Sequence, residues 1–277
     1  MQILLADAKI MLSADKAVAS ATWRKSDMTT PRHQTVATCL ALDMAAFDVG
    51  ELSSVLSCSR SIAAETWRRY RQFVSAETLP ALFAYNGQAY KHLKASSLAA
   101  GDLRYAQAHL FITSFLYGLL RPMNAVAPYR IGHNITLPST GGKALNRYWR
   151  DILTDTLISA TKADDGILLH LSTEEYEQLF DWQRVCSELM VVHPFFHVRQ
   201  PDGGLKIQAV WAKACRGAML RYVLENRISR PSLLRSFAYE GFVFNPHAGD
   251  DKHPHFLRET YPDSVSASLV TNQHPCA

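Results

Sequence analysis

Short apolar runs of five or six residues alternate along this chain with longer segments whose apolar positions recur every three to four residues. Gln2–Ala6 (QILLA) and residues 166–171 (GILLHL) are too short for helices and read as buried strands. Residues 35–47 repeat Val36, Leu40, Ala41 and Met44 at helical spacing. Residues 143–160 gather Leu145, Tyr148, Trp149, Ile152 and Leu153 on one helical face, and 211–227 form the clearest helix of all. Residues 51–56 and 62–73 read as two short helices joined by a tight connection, and 79–93 as helix, turn and helix about Asn86-Gly87. Asp102 suits the cap of a helix running to 110, and Ser172 the cap of one opened by Glu174 and Glu175. Extended segments are expected at 129–137 and 241–244. An antiparallel pair, 190–198 with 205–210, is expected around the turn at 201–204. This mixture predicts an α+β (mixed α/β) fold. No long linker divides the 277 residues, so a single compact domain is expected over 1–246. Beyond Pro246 aromatic density falls, and 247–277 read as a poorly ordered tail.

Several classes of protein are excluded. The apolar run at the start lacks the preceding basic residues and the length of a signal peptide. The apolar stretch 110–120 is interrupted by Thr113 and Ser114, far short of the roughly 20 residues a spanning helix needs. Five cysteines, Cys39, Cys58, Cys186, Cys215 and Cys276, are scattered without a C-x-x-C pair, which argues against a zinc site or a disulfide framework. A reducing cytoplasm and no membrane partner are expected. There is no P-loop, G-x-G-x-x-G, H-E-x-x-H or G-x-S-x-G. His247, His253 and His255 read as solvated histidines, so neither a metal nor a cofactor is expected.

The formal net charge is only +4, from 29 Lys and Arg against 25 Asp and Glu. Its distribution says more. On a helical wheel Lys213, Arg216 and Arg221 fall on one side with Gly217 among them, while Trp211, Cys215, Met219 and Val223 gather opposite. A glycine inside a helix costs about 1 kcal/mol relative to alanine. It makes sense where a phosphate or a neighbouring strand must approach the backbone. A second basic cluster, Arg60, Arg68, Arg69 and Arg71, is interleaved with Trp67 and Tyr70, a composition that suits phosphates and stacked bases. Lys9, Arg121 and Arg130 are single cations beside apolar segments.

Taken in order, these residues resemble the YaaA family of bacterial proteins linked to peroxide stress. Ala6-Asp7-Ala8-Lys9-Ile10 is similar to the family's S-P-A-K-T, and Tyr85-Asn86-Gly87 with Tyr90 to its F-x-G-x-x-Y. Residues 116–122 (LYGLLRP) match L-Y-G-x-L-R-P, and 128–130 the following P-Y-R. Tyr148-Trp149, Leu171-Ser172 and Glu175-Tyr176 fall in register, and AKACRGAMLRYVLENR resembles A-K-K-A-R-G-x-M-x-R-x-x-x-E-N-R. The resemblance implies a compact fold with a positively charged cleft and a helix-hairpin-helix-like element near 50–75. It also implies DNA binding and a part in limiting oxidative damage and free iron. By position, Lys9, Arg121, Arg130, Lys213, Arg216 and Arg221 would line the cleft, with Ser172, Glu175 and Tyr176 as its polar floor. This chain departs at Asp7, where the family has Pro, and at Ala214, where it has Lys. Residues 59–65 contain no glycine, whereas a phosphate-holding helix-hairpin-helix uses a glycine-containing hairpin.

Two functions follow. The first is a cytoplasmic protein binding DNA without sequence preference. The alternative is an enzyme acting on a nucleotide or nucleobase, for instance by cleaving a glycosidic bond. In that case cations grip phosphate, and the catalytic candidates are Ser172, Glu175 and Tyr176. Direct iron binding has little support, because no His and carboxylate spacing marks a ligand set.

Overall fold

The computed structural model describes residues 1–12 and 23–259. Strand β1 (Gln2–Ala6) is followed by α1 (Gln34–Ala46), α2 (Val49–Val55) and α3 (Arg60–Arg71). Then come β2 (Leu79–Pro80), α4 (Ala81–Ala84), α5 (Gln88–Leu93) and α6 (Ala100–His109). Strands β3 (Leu110–Ser114), β4 (Gly118–Leu120) and β5 (Ala125–Val126) lead to the long helix α7 (Leu145–Lys162). Next are β6 (Ile167–Leu171), α8 (Glu174–Glu177), α9 (Trp182–Glu188), β7 (Met190–Val192), β8 (Phe195–Arg199) and β9 (Leu205–Lys206). Helix α10 (Ala209–Asn226) and strands β10 (Ala238–Tyr239), β11 (Phe242–Gly249) and β12 (Pro254–Arg258) complete the order.

The apolar runs build one sheet in the order β4-β3-β1-β6-β7. Strands β3, β1, β6 and β7 are parallel, and β4 closes an antiparallel edge. Ile3, Leu4 and Leu5 are buried on both faces, as a central parallel strand covered by helices requires. A second five-stranded sheet runs β10-β11-β12-β8-β9. The LYGLLRP motif makes the turn and outgoing strand of the β3–β4 hairpin. Gly118 takes a positive φ there, and a Cβ on it would stand 2.9 Å from the Trp149 ring. Trp149 itself donates Nε1–H to the Phe115 carbonyl at 2.8 Å. This motif fastens the sheet edge to α7.

Some expectations need correction. Residues 129–137 form no strand; their backbone is irregular, apart from a bridge between Thr136 and Ala144. Helix α6 starts at Ala100, so Asp102 lies inside its first turn and accepts from the Ala99 N–H at 3.1 Å. The cap position before α8 belongs to Thr173, while Ser172 is fully buried and its Oγ has no partner. Strand β7 joins the first sheet, and only β8 pairs with β9. The expected loose tail holds the end of β11 and all of β12, because Phe256 fills the second sheet's core. The rest of that segment, 260–277, lies outside the described residues. Among the described residues no helix is long and apolar enough to cross a membrane.

Candidate functional site

From β1 the chain passes to β3 on one side and later to β6 on the other. A crevice therefore opens beyond the carboxyl ends of these strands, where open α/β sheets bind ligands. A recess of about 650 Å³ lies there, and its polar wall draws largely on three places. Asp7, Ala8 and Lys9 come from the end of β1, Thr173 to Tyr176 from the end of β6, and Lys213 and Arg216 from α10. Helix α10 is held in position by α5. Gly217 packs on the Ala89 carbonyl so closely that a Cβ would come within 1.9 Å of its oxygen. Tyr90 of α5 donates to the Ala6 carbonyl at 2.8 Å, tying the helix pair to β1. The close approach inferred at Gly217 is thus made by a helix, not by a phosphate or a strand.

Asp7 forms the floor. Its two carboxylate oxygens accept from the hydroxyls of Tyr129 and Tyr176. Tyr129 is also joined to Ser114 Oγ at 2.6 Å and to the Tyr85 hydroxyl at 2.8 Å, and Tyr176 stacks on Phe115 with ring centroids 4.7 Å apart. Burial pushes the Asp7 carboxyl up to about 6, against the opposite pull of the two tyrosine hydrogen bonds and of Lys9. Burial likewise raises Tyr129 and Tyr176 well above the ordinary tyrosine value. The result is an acid that changes protonation near neutrality on the wall of a recess, a frequent attribute of functional sites. Glu175 stands beside it and meets His133 Nδ1 at 3.1 Å.

A second depression, of about 700 Å³, shares Lys9 and Ile10 with the recess and is lined by Arg68, Arg69 and Arg130. Tyr70 fixes this wall by donating to the Arg130 carbonyl at 2.7 Å. Cations therefore follow one path from α3 across Lys9 to Lys213 and Arg216. Glu65 and Glu77 in the depression and Asp7, Glu174 and Glu175 in the recess interrupt it, Glu65 as the ion-pair partner of Arg69. Arg60 and Arg71 are exposed outside both depressions, with Arg71 lying over the Trp67 ring at 5.5 Å.

Two expected cleft cations lie elsewhere. Arg121 sits at the opposite, amino end of the first sheet, bonding Gln2 Oε1 and the Leu110 carbonyl at 3.1 Å and lying over the Phe111 ring. Arg221 is held by the carbonyls of Leu93 and Lys94, by Ser97 Oγ and by Glu225. The wheel misplaced it because α10 is buried nearly all round, Leu220 included, and has no continuous basic face. Ser172 does not line the recess.

Asp7 is a site residue that no motif marks; its one sign in the sequence is an acid ending an apolar strand. His170, Glu177 and His193 are likewise marked by no motif. These three bring one ligand atom each to within 4.8 Å of one another. The sign available there was a histidine inside the apolar run of β6.

A family model described as "Peroxide stress protein YaaA" matches residues 1–248. A UPF0246 protein of Bacteroides thetaiotaomicron is 41% identical over 251 residues, covering 90% of this chain and 97% of its own length. Another from Phocaeicola vulgatus is 44% identical over 230 residues, covering 82% and 89%. One from Neisseria meningitidis is 34% identical over 187 residues, covering 67% and 71%.

Proposed function

The chain belongs to the peroxide stress protein YaaA family, and from that membership we propose that it binds DNA without sequence preference in the course of peroxide defence. The cation path through Arg68, Arg69, Arg130, Lys9, Lys213 and Arg216 carries this reading. Spaced guanidinium and ammonium groups along an open depression suit a phosphate backbone, and the adjoining recess has room for a single unstacked nucleotide. The α2–α3 pair, joined through residues 56–59, flanks the depression as the helix-hairpin-helix-like part of this reading. The same reading has the protein act in the cytoplasm, in a defence associated with limiting free iron.

Affinity from phosphate contacts falls with salt, at a slope of about −0.9 per phosphate neutralised on a duplex. The variant combining Arg68→Ala, Arg69→Ala and Arg130→Ala should flatten that slope by about 3. Arg221→Ala, whose guanidinium is occupied by backbone carbonyls, should leave it unchanged. A salt slope that survives the triple substitution would remove the groove from consideration.

The raised Asp7 carboxyl favours a second reading, an enzyme on a nucleotide or nucleobase. Protonated Asp7 would act as general acid toward a leaving base, with Lys213 and Arg216 on the phosphate and Glu175 directing water. Release of free base from nucleotides, lost in Asp7→Asn or Glu175→Gln with DNA affinity intact, separates this reading from the first.

A further inference from the structure

Behind the recess wall stand three side chains that neither reading uses. His170, on β6, is fully buried, and its Nε2 lies 2.9 Å from Glu177 Oε1. His193, in the connection between β7 and β8, turns its ring across that of His170, with centroids 4.4 Å apart at 70°. His170 Nδ1 and His193 Nε2 are buried and have no hydrogen-bond partner. Two imidazole nitrogens left bare in a protein interior are costly unless something occupies them.

We propose that His170, Glu177 and His193 form a binding site for one divalent first-row transition-metal ion. Two imidazoles and a carboxylate are a donor set that suits zinc and its first-row neighbours. In a tetrahedral zinc site with bonds near 2.0–2.1 Å, the donors lie about 3.4 Å apart. One atom from each of these residues already lies within 4.8 Å of the others, so closing on an ion takes small rotations about side-chain bonds. His193 also lines the recess, so a fourth ligand, a water or a substrate oxygen, would reach the ion from that side. The nearby cation is Arg216. Its charge acts on His170, His193 and Glu177, and its Nε has no partner. A like charge beside the site weakens metal binding, and it makes an anionic oxygen the favoured fourth ligand, shared between the ion and the guanidinium.

Titration of the chelator-stripped full chain with zinc chloride tests this. One equivalent should bind, and cobalt(II) should give the visible absorption of a tetrahedral site. His193→Gln should weaken binding at least 30-fold. Glu177 is partly exposed, so Glu177→Gln provides the same loss should a change at His193 disturb folding. Arg216→Gln should tighten binding several-fold, an effect an ion held elsewhere would not show. Zinc bound equally by the wild type and both ligand variants would place it on surface pairs such as His253 and Asp250, and would overturn the proposal. So would the absence of binding at 100-micromolar zinc, about 5.5 kcal/mol of binding free energy, or an affinity that Arg216→Gln leaves unchanged.

Discussion

Asp7 shows how far a single residue can be judged without its neighbours. In the sequence it looks like a blemish beside Lys9, an acid that dulls a phosphate contact. In the fold it is the group on which Tyr129 and Tyr176 converge, from 122 and 169 residues away. No local pattern announces that convergence. Lys9, by contrast, was legible from its motif, and it stands where the two depressions meet. The raised carboxyl has a consequence for stability. Below about pH 4 both folded and unfolded chains hold the proton. Between about 4 and 6 only the folded chain does, and above 6 neither does. The folded state binds the proton more tightly, so the contribution of Asp7 to stability falls as pH rises through this window. A shift of about two units corresponds to about 3 kcal/mol. Asp7→Asn can still accept from one hydroxyl through Oδ1 while its amide nitrogen donates to the oxygen of the other, and it escapes the loss. Denaturant unfolding should therefore find the variant gaining about 3 kcal/mol on the wild type between pH 4 and pH 7.5. A difference independent of pH would mean that Asp7 ionises as an exposed acid does.

Among the elements, the short apolar runs and the long amphipathic helix were readable because burial and period agree. QILLA and the run at 167–171 became adjacent parallel strands, and α7 keeps Leu145, Trp149 and Leu153 in the core. Residues 129–137 were misread because Ile131, Ile135 and Leu137 are buried by an irregular segment packed on its neighbours, not by a sheet. Helix α10 misled for a related reason. A wheel assumes one wet face, whereas α10 packs on α5 and on the second sheet at once, so only Lys213 and Arg216 reach the recess. Gly217 measures that packing. In an exposed helix, replacing glycine by alanine stabilises by about 1 kcal/mol. Here the new methyl would meet the Ala89 backbone, whose oxygen cannot rotate away as a side chain would. Gly217→Ala should lower stability by about 1–3 kcal/mol, the range for overpacked cores. It should also weaken DNA binding by displacing Lys213 and Arg216. Thermal unfolding with a salt titration measures both effects, and a stabilised variant would show that α5 yields freely.

For the molecule as a whole, the parallel sheet has two unlike ends. Its carboxyl end carries Asp7, the recess and the histidine cluster. Its amino end carries Arg121, which a motif had suggested for the same cleft. The motif builds the hairpin, and the hairpin places this guanidinium across the start of β1 and the start of β3. Burial lowers the Arg121 pKa to about 10, yet the group stays charged at neutral pH and is satisfied by Gln2, Leu110 and the Phe111 face. Which end of a strand a residue occupies depends on strand direction and order, and neither can be read from one chain's spacing. Arg121→Ala strips the Leu110 carbonyl and Gln2 of a charged donor, which costs about 1–3 kcal/mol. Its melting temperature should drop accordingly, while the salt slope for DNA and the zinc stoichiometry stay at wild-type values. Arg130→Ala should do the reverse, because that side chain lines the basic depression while its backbone carbonyl, kept in the variant, still accepts from Tyr70. If Arg121→Ala flattened the salt slope as much as Arg130→Ala, the DNA path would have to reach the opposite end of the sheet, and the recess at the carboxyl end would lose its claim to be the site.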